Sequence, residues 1–349
     1  MGSGMIRRVT DQTQEPFAVM NRVWSEFLQS HPISPQTEDA NCAINDLSHF
    51  GLIRVEGEDA EKFLQGQLTN DMREVTQAHS NLAGWCSAKG RMLANFRCFL
   101  RDGAFYLQTP QENLPTVLKR LGMYVLMSKV TLTDVSDQLM RLGLTGDCAV
   151  SMLQSRFPEI PDTPNGAAQN GLLSLIRLSG ERPRFELLGP TEELILFWQE
   201  ADQQAVRAGD DYWALEEIRA GVPTIFPTTS EAFVPQMANM QLVDGVSFNK
   251  GCYTGQEVVA RMQYLGKLKR RMYLAHVETD IRPQPGDDLH SPGSTSGQGT
   301  GKVVDARPVD GGYDLLAVIE ADRAEADEVC LGEQGPRLEL RQLPYAFPE

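Results

Sequence analysis

Residues 250–257 read Lys250-Gly251-Cys252-Tyr253-Thr254-Gly255-Gln256-Glu257, and Val258-Val259-Ala260-Arg261-Met262 follow. Thr254 and Glu257 stand at capping-box spacing, in which a hydroxyl and a carboxylate reciprocally satisfy free amides at a helix start. The spacing predicts a helix beginning just after Thr254, with Cys252 shortly ahead of it. The positive end of a helix dipole favours thiolate over thiol, and Lys250 adds a cation nearby. A reactive Cys252 is expected, with a pKa below the ordinary thiol value of about 8.5. The plainer reading of the same pattern is a glycine-rich turn around a buried, inert cysteine.

Working outward, residues 250–271 carry six cations (Lys250, Arg261, Lys267, Lys269, Arg270 and Arg271) against Glu257, a local balance of +5 in a chain of net charge −15. Such an island suits a specific anion: a polyglutamate tail, a phosphate or a short RNA element. It also suits a merely solvated face. The acidic whole, with pI near 4.9, repels phosphate backbones and argues against a large nucleic-acid footprint.

Downstream of 267 the texture is short strands, Arg271–Val277, Gly301–Arg307 and Tyr313–Ile319, between Gly- and Pro-rich turns. That reads as a small C-terminal β-barrel, 267–349. The Gly-rich run Ser296–Lys302 lacks phosphate-loop spacing and reads as a hairpin loop. Upstream, two α+β patterns follow one another. The first has a strand at 48–56, a helix carrying Phe63, Leu64 and Leu68, a meander over 81–109 turning at Lys89-Gly90 and Asp102-Gly103, a helix at 110–121 and a strand near 123–134. The second has strands at 139–145, 171–178 and 183–188 and helices at 147–155 and 191–207. Antiparallel strands with helices on one face predict an α+β chain. The division is 41–138 with 208–266, then 139–207, then the barrel. Ahead of them, 1–40 reads as a polar tail with one docking helix bearing Phe17, Val19, Met20, Val23, Trp24 and Phe27. Met1-Gly2-Ser3-Gly4 reads as an expression remnant before a native Met5.

The six cysteines (42, 86, 98, 148, 252 and 330) form no CxxC pair, and the five histidines show no ligand spacing. No resident metal site is expected, and the scattered cysteines read as reduced thiols of a cytoplasmic protein. No apolar run approaches the roughly 20 residues of a membrane span, and no signal peptide is legible.

The octapeptide Lys250–Glu257 resembles the signature of YgfZ-type folate-binding proteins, relatives of the glycine-cleavage aminomethyltransferase (T-protein). The resemblance extends to Gly57, Phe63-Leu64-Gln65-Gly66-Gln67-Leu68-Thr69, Ala88-Lys89-Gly90-Arg91-Met92, Trp213 through Ala220-Gly221, Val234-Pro235-Gln236 with Asn239, and Leu343-Pro344-Tyr345. It runs from about residue 42 to the C-terminus. It implies ferredoxin-like α/β units and a C-terminal β-barrel in a three-part ring around a central opening that holds tetrahydrofolate or a one-carbon derivative.

A folate site needs an aromatic plate, a carboxylate for the pterin amino groups and cations for the glutamate tail. At ~100° per residue, Leu215 and Ile218 share one helix face. Trp213 points away from it, beside Glu216 and Glu217. The residues thus offer Trp213 as plate, or as packing against another domain, and the resemblance carries folate contact onto Trp213. The family's second aromatic, a Trp, aligns with Phe50. Its carboxylate before Ala-Gly is Arg219 here, so pterin recognition by that group is either lost or moved to Glu216 or Glu217. The acidic pair that T-proteins use in catalysis aligns with Ala94 and Asn95. Cys252 stands where they have Asp. Expected site residues are therefore Cys252 and Lys250 for chemistry, and Trp213, Phe50, Glu217 and Tyr253 for folate.

By resemblance, the role is an accessory factor for iron–sulfur cluster assembly or repair and for the radical enzymes that thiomethylate tRNA. Its partners would be folate and, transiently, such iron–sulfur proteins, with no membrane. Two other readings stand beside it: a folate-dependent one-carbon transferase, and a weak tRNA-binding module built on the basic island at 261–271.

Overall fold

A computed structural model of the chain describes residues 14–34, 40–264, 268–294, 296 and 299–347, with the backbone alone for 14–21. The polar tail up to residue 13, the side chains of Phe17, Val19 and Met20, Lys267 of the basic island and Gly297-Gln298 of the Gly-rich loop lie outside the described residues.

In chain order come α1 (Gln14–Ser30), β1 (Cys42–Asp46), β2 (Phe50–Glu56), α2 (Ala60–Gln65), β3 (Asn81–Cys86), β4 (Met92–Arg101), β5 (Ala104–Pro110), α3 (Leu114–Gly122) and β6 (Thr131–Asp134). Then come β7 (Met140–Gly146), α4 (Cys148–Leu153), β8 (Ala167–Asn170), β9 (Leu173–Leu178), β10 (Arg184–Gly189), α5 (Thr191–Ala201), β11 (Val206–Ala208) and α6 (Asp210–Arg219). After an irregular stretch follow α7 (Gln256–Tyr264), β12 (Arg270–Val277), β13 (Asp288–His290), β14 (Gly301–Val309), β15 (Gly312–Glu320), α8 (Ala321–Glu325), β16 (Cys330–Leu331) and β17 (Glu339–Arg341).

Three sheets result, in an α+β fold. The first, in order β3-β4-β5-β2-β6, packs one face against α2 and α3 around Phe63, Leu64, Trp85, Phe96 and Leu121. The second, β11-β1-β7-β10-β9-β8, packs against α1 and α5 around Trp24, Phe185, Phe197 and Trp198. The third, β16-β13-β14-β15-β12-β17, is the curled antiparallel sheet of the C-terminal region. The expected meander is β3-β4-β5, whose strands pair in succession and turn at positive-φ Gly90 and Gly103.

Four expectations need correction. β1 pairs antiparallel with β7 and parallel with β11, so residues 42–46 belong to the second sheet, not to the unit of 41–138. β11 itself replaces the end of the helix expected over 191–207; α5 stops at Ala201. The strand expected from 123 begins only at Thr131, because Met123, Tyr124, Leu126 and Met127 lie on an exposed turn. Lastly, Cys42 and Cys148 form a disulfide at a Cα–Cα separation of 5.8 Å, so they are not reduced thiols. They are 106 residues apart in sequence, and antiparallel pairing of Cys42 with Gly146 brings them together.

The free faces of the first two sheets meet. Strand alternation sends Phe99, Tyr106, Ile176 and Leu188 into this layer, together with Leu52 and Trp213. Helix α6 sits where the three units join. Tyr212 packs on Ala43 and Ala208, Trp213 lies between the first two sheets, and Ile218 joins the core shared with the third.

Candidate functional site

The two-sheet layer is apolar at one end and polar at the other. The same alternation that buries Leu188, Tyr106 and Phe99 places Glu186, Gln108 and Arg97 two residues away on the same face. They line a narrow slot of about 40 Å³ with Phe50, Asn95, Pro110, Glu217 and Thr224. The slot shares Phe50, Pro110, Glu217 and Thr224 with a wider chamber of about 430 Å³. That volume lies in the range of ordinary small-molecule sites.

Helical periodicity puts Asp210, Ala214 and Glu217 of α6 on the chamber wall. Phe50 and Phe226 supply flat apolar surface. Away from the slot the lining comes from the third unit and is charged. Arg282 donates to Asp211 at 2.7 Å, and Arg307 pairs with Asp305 at 3.1 Å. Burial pushes the Asp305 carboxyl up to about 6 against the pull of Arg307. His49, with Nδ1 3.1 Å from Asp210 Oδ1, holds Asp210 below the usual carboxylate range.

Inside the slot, the Gln108 side-chain amide donates to Glu186 Oε1 at 3.0 Å. Glu186 Oε2 and Gln108 Oε1 are buried with no protein partner. Each unpaired buried acceptor costs about 1–3 kcal/mol until a ligand or water meets it. Burial, then the Glu217 charge, raises the pKa of Glu186, and Arg97 and Arg141 oppose them. Glu217 accepts from Arg184 at 2.6 Å and faces the chamber. Glu216 turns the other way, to Arg182 and Arg219.

Asn95 lies in the slot wall. Its Nδ2 donates to the Pro223 carbonyl and its Oδ1 accepts from Ile225 N–H, each at 2.8 Å. Both amide atoms are committed to holding the 223–225 segment that borders the chamber.

Trp213 lines neither the chamber nor the slot. Its ring is fully buried, with the Arg184 guanidinium 4.6 Å from its centroid. A Cβ on Gly143 would sit 2.4 Å from the ring, so only glycine leaves room for it. Helix α6 is buried on several sides. A position outside its apolar stripe is still interior.

The octapeptide forms a second locus. Gly255, at φ +84°, fits against the β3–β4 turn; a Cβ there would meet Ser87 O at 2.5 Å. Gly90, at φ +69°, lies against Val258. Thr254 N–H donates to Gly66 O, and the Gln236 amide donates to Val259 O at 2.6 Å. Met92 N–H donates to Phe233 O, and Tyr345 donates to Gly221 O. The short sequence blocks thus converge on one support. Helix α7 starts at Gln256, one residue later than a Thr254 cap requires.

Lys250 is interior. Its ammonium donates to Leu68 O at 2.6 Å and Asn70 O at 2.7 Å, and lies 5.1 Å from the Tyr253 ring centroid. Burial lowers its pKa to about 8. Tyr253 is buried, and burial pushes its phenol up. Cys252 alone of the three is exposed. None of the three lines the chamber or the slot. The β3–β4 hairpin links the loci: Asn95 lies in the slot wall and Gly90 under the cysteine loop, at most ~17 Å along the strand. Of the expected residues, the structure brings Phe50 and Glu217 together in the chamber. It sets Trp213 behind them and places Lys250, Cys252 and Tyr253 elsewhere. Sequence reasoning missed Glu186, Gln108, Arg282 and Arg307. A lone acid in the apolar run Phe185–Leu188 was the one available signal.

Among the described residues, no cluster of ligating side chains suits a metal ion, and no helix is long and apolar enough to cross a membrane.

Three units around a shared chamber define an aminomethyltransferase-type fold. The glycine cleavage system aminomethyltransferase T of Bartonella henselae superposes with a TM-score of 0.63 over 88 % of this chain and 87 % of that one, at 17 % identity. Residues 36–173 match the GCVT N-terminal domain. More specifically, the chain is 33 % identical over 303 residues to the tRNA-modifying protein YgfZ of Colwellia psychrerythraea, covering 86 % of this chain and 93 % of that protein. It is 32 % identical to the Klebsiella pneumoniae protein of the same name, over 87 % and 93 %. The chain belongs to the YgfZ family.

Proposed function

We propose that the chamber binds tetrahydrofolate or a one-carbon derivative of it, and that the chain supports iron–sulfur proteins and iron–sulfur-dependent tRNA modification through Cys252. The observation that carries the folate reading is the polarity of the chamber. A flat ring has Phe50 and Phe226 to lie against and buried acceptors at the inner end. An anionic tail has Arg282 and Arg307 at the other. Bound tetrahydrofolate supplies a carrier for one-carbon units. Glu217, fixed by Arg184, orients the ring, and the two arginines fix the tail.

The accessory role is favoured over aminomethyl transfer by Asn95, whose amide cannot take up a proton and is spent on the neighbouring segment. The relatives' name, tRNA-modifying protein, supports the tRNA connection. Cys252, exposed on a firmly supported loop, is accessible to a partner protein or to the cluster it carries. Anaerobic calorimetry with tetrahydrofolate tests the first claim: wild type binds and Phe50→Ala binds at least about tenfold more weakly. No heat of binding with wild type sinks it. For the second, Cys252→Ser must fail to restore iron–sulfur enzyme activity to a deletion strain; full restoration removes the cysteine from the mechanism.

A further inference from the structure

We infer that a cationic cleft between the β3–β4 turn and the third sheet is a second binding site, which takes a phosphoester group carried on a nucleoside. It shares no lining residue with the chamber and does not rest on the folate reading.

Strand alternation takes the basic island apart. Lys250 is interior, on two backbone carbonyls. Arg270 and Arg271 open β12 and leave it on different sides. Arg271 lies over the Phe347 ring, 4.7 Å from its centroid. Arg270 turns to the Gly-rich loop and donates to Ser296 Oγ at 3.0 Å and to Gly299 O. There it meets Lys302 of β14 and Arg91 of the β3–β4 turn, and the three cations line one cleft of about 210 Å³.

Each cation is fixed by groups around the cleft. Arg91 donates to Ala232 O at 2.6 Å and to Glu231 O at 3.3 Å, and carbonyls leave its charge in place. Lys302 donates to Gly286 O at 3.2 Å and to Asp288 at 2.5 Å. Arg270 also reaches Glu320 at 3.4 Å. Asp288 and Glu320 stand outside the cleft, and among the described residues that line it none is acidic. In a chain of net charge −15, a cleft walled by cations from three separate elements runs against composition. The cations repel one another, and a multiply charged anion between them removes that repulsion. One bidentate arginine is enough for a carboxylate, whereas a phosphate has oxygens for all three donors. Ala232, Met237 and Val318 give the cleft an apolar floor. Its volume exceeds that of a bare phosphate and leaves a sugar or base this floor to lie on, within reach of guanidinium planes that stack on bases.

The cleft also joins the second locus. Arg91 follows Gly90, which lies against Val258, and Met237 follows Gln236, which holds Val259 O. A ligand seated here rests on the same support as exposed Cys252.

Lys302→Gln removes one cation from a partly exposed side chain. Two probes separate the sources of the phosphate. A labelled, unmodified tRNA transcript, chosen for the tRNA connection proposed above, is followed by fluorescence anisotropy, and 5′-AMP by calorimetry. We expect K302Q to weaken binding of whichever probe the wild type takes by at least about fivefold, and to lower the transcript's slope of log affinity against log salt by about one. Lys119→Gln, the same loss of charge on exposed α3, should change affinity by less than about twofold. K302Q should bind tetrahydrofolate as wild type does, so failure here leaves the folate reading untouched. Binding of the transcript assigns the phosphate to RNA, binding of 5′-AMP alone assigns it to a free nucleotide, and either supports the site. K302Q within about twofold of wild type, equal losses in K302Q and K119Q, displacement by tetraglutamate as readily as by 5′-AMP, or wild type binding neither probe overturns it. If K302Q does not fold, Arg91→Gln carries the same comparison from the β3–β4 turn.

Discussion

The chamber and the Cys252 loop are built on opposite plans. The chamber and its slot draw side chains from many elements, Phe50 from β2, Glu186 from β10, Glu217 from α6 and Arg307 from β14. No short stretch of sequence encodes it. The loop is nearly contiguous, and its neighbours at Gly66, Gly90 and Gln236 are there to support it. The chamber keeps buried polar groups unsatisfied, as a binding site must. The loop places Lys250 on two backbone carbonyls and exposes one sulfur. A distributed site is set by how sheets stack, and a contiguous one by glycine geometry.

The strongest way to break this contrast is Trp213→Ala. If Trp213 is packing behind the chamber, unfolding free energy in urea falls by about 3–5 kcal/mol, as for a large buried aromatic. A stability loss under about 1 kcal/mol, with folate affinity abolished, would return Trp213 to the ligand wall.

Lys250→Met comes next. The folded-state pKa of Lys250 is depressed to about 8 from 10.5. Between those values the unfolded chain holds a proton that the folded chain has lost, so this group's contribution makes stability rise with pH. Cys86 and Cys98, buried with thiols pushed up to about 12, act oppositely at higher pH. The difference between wild type and K250M isolates the lysine. We expect its stability gap to move in favour of wild type by about 1–3 kcal/mol from pH 7.5 to 10. A flat difference would mean Lys250 is solvated.

Phe50→Ala sharpens the chamber side. We expect a folate affinity loss of about tenfold, or ~1.4 kcal/mol, and a stability change below that of Trp213→Ala. The smallest energetic effect belongs to Cys252→Ser, within about 0.5 kcal/mol in stability for an exposed site. Its counterpart is chemical. Brief alkylation of the native protein, read by mass spectrometry, should label Cys252 ahead of Cys330 and leave buried Cys86 and Cys98 untouched until denaturant is added. Early labelling of Cys86 would show that the support under the loop opens readily.

The meander β3–β4–β5, the two α+β patterns and the β-rich C-terminal region were legible because they depend on local alternation and on Gly90 and Gly103 at tight turns. β1, β8 and β11 were not, since short segments of ordinary composition become strands only when a neighbour pairs with them. Of the site, the octapeptide, Phe50 and Glu217 were readable. The disulfide was not, because nothing in the spacing of Cys42 and Cys148 shows that β1 lies beside β7.

The sequence alone determined the family, the fold class and the cysteine loop, because side-chain period and glycine position act over a few residues. Tertiary structure decided what Trp213, Lys250 and Glu186 do. Each is a large or charged side chain whose role depends on whether its side of the element meets water or another sheet, and that is fixed only when the units pack.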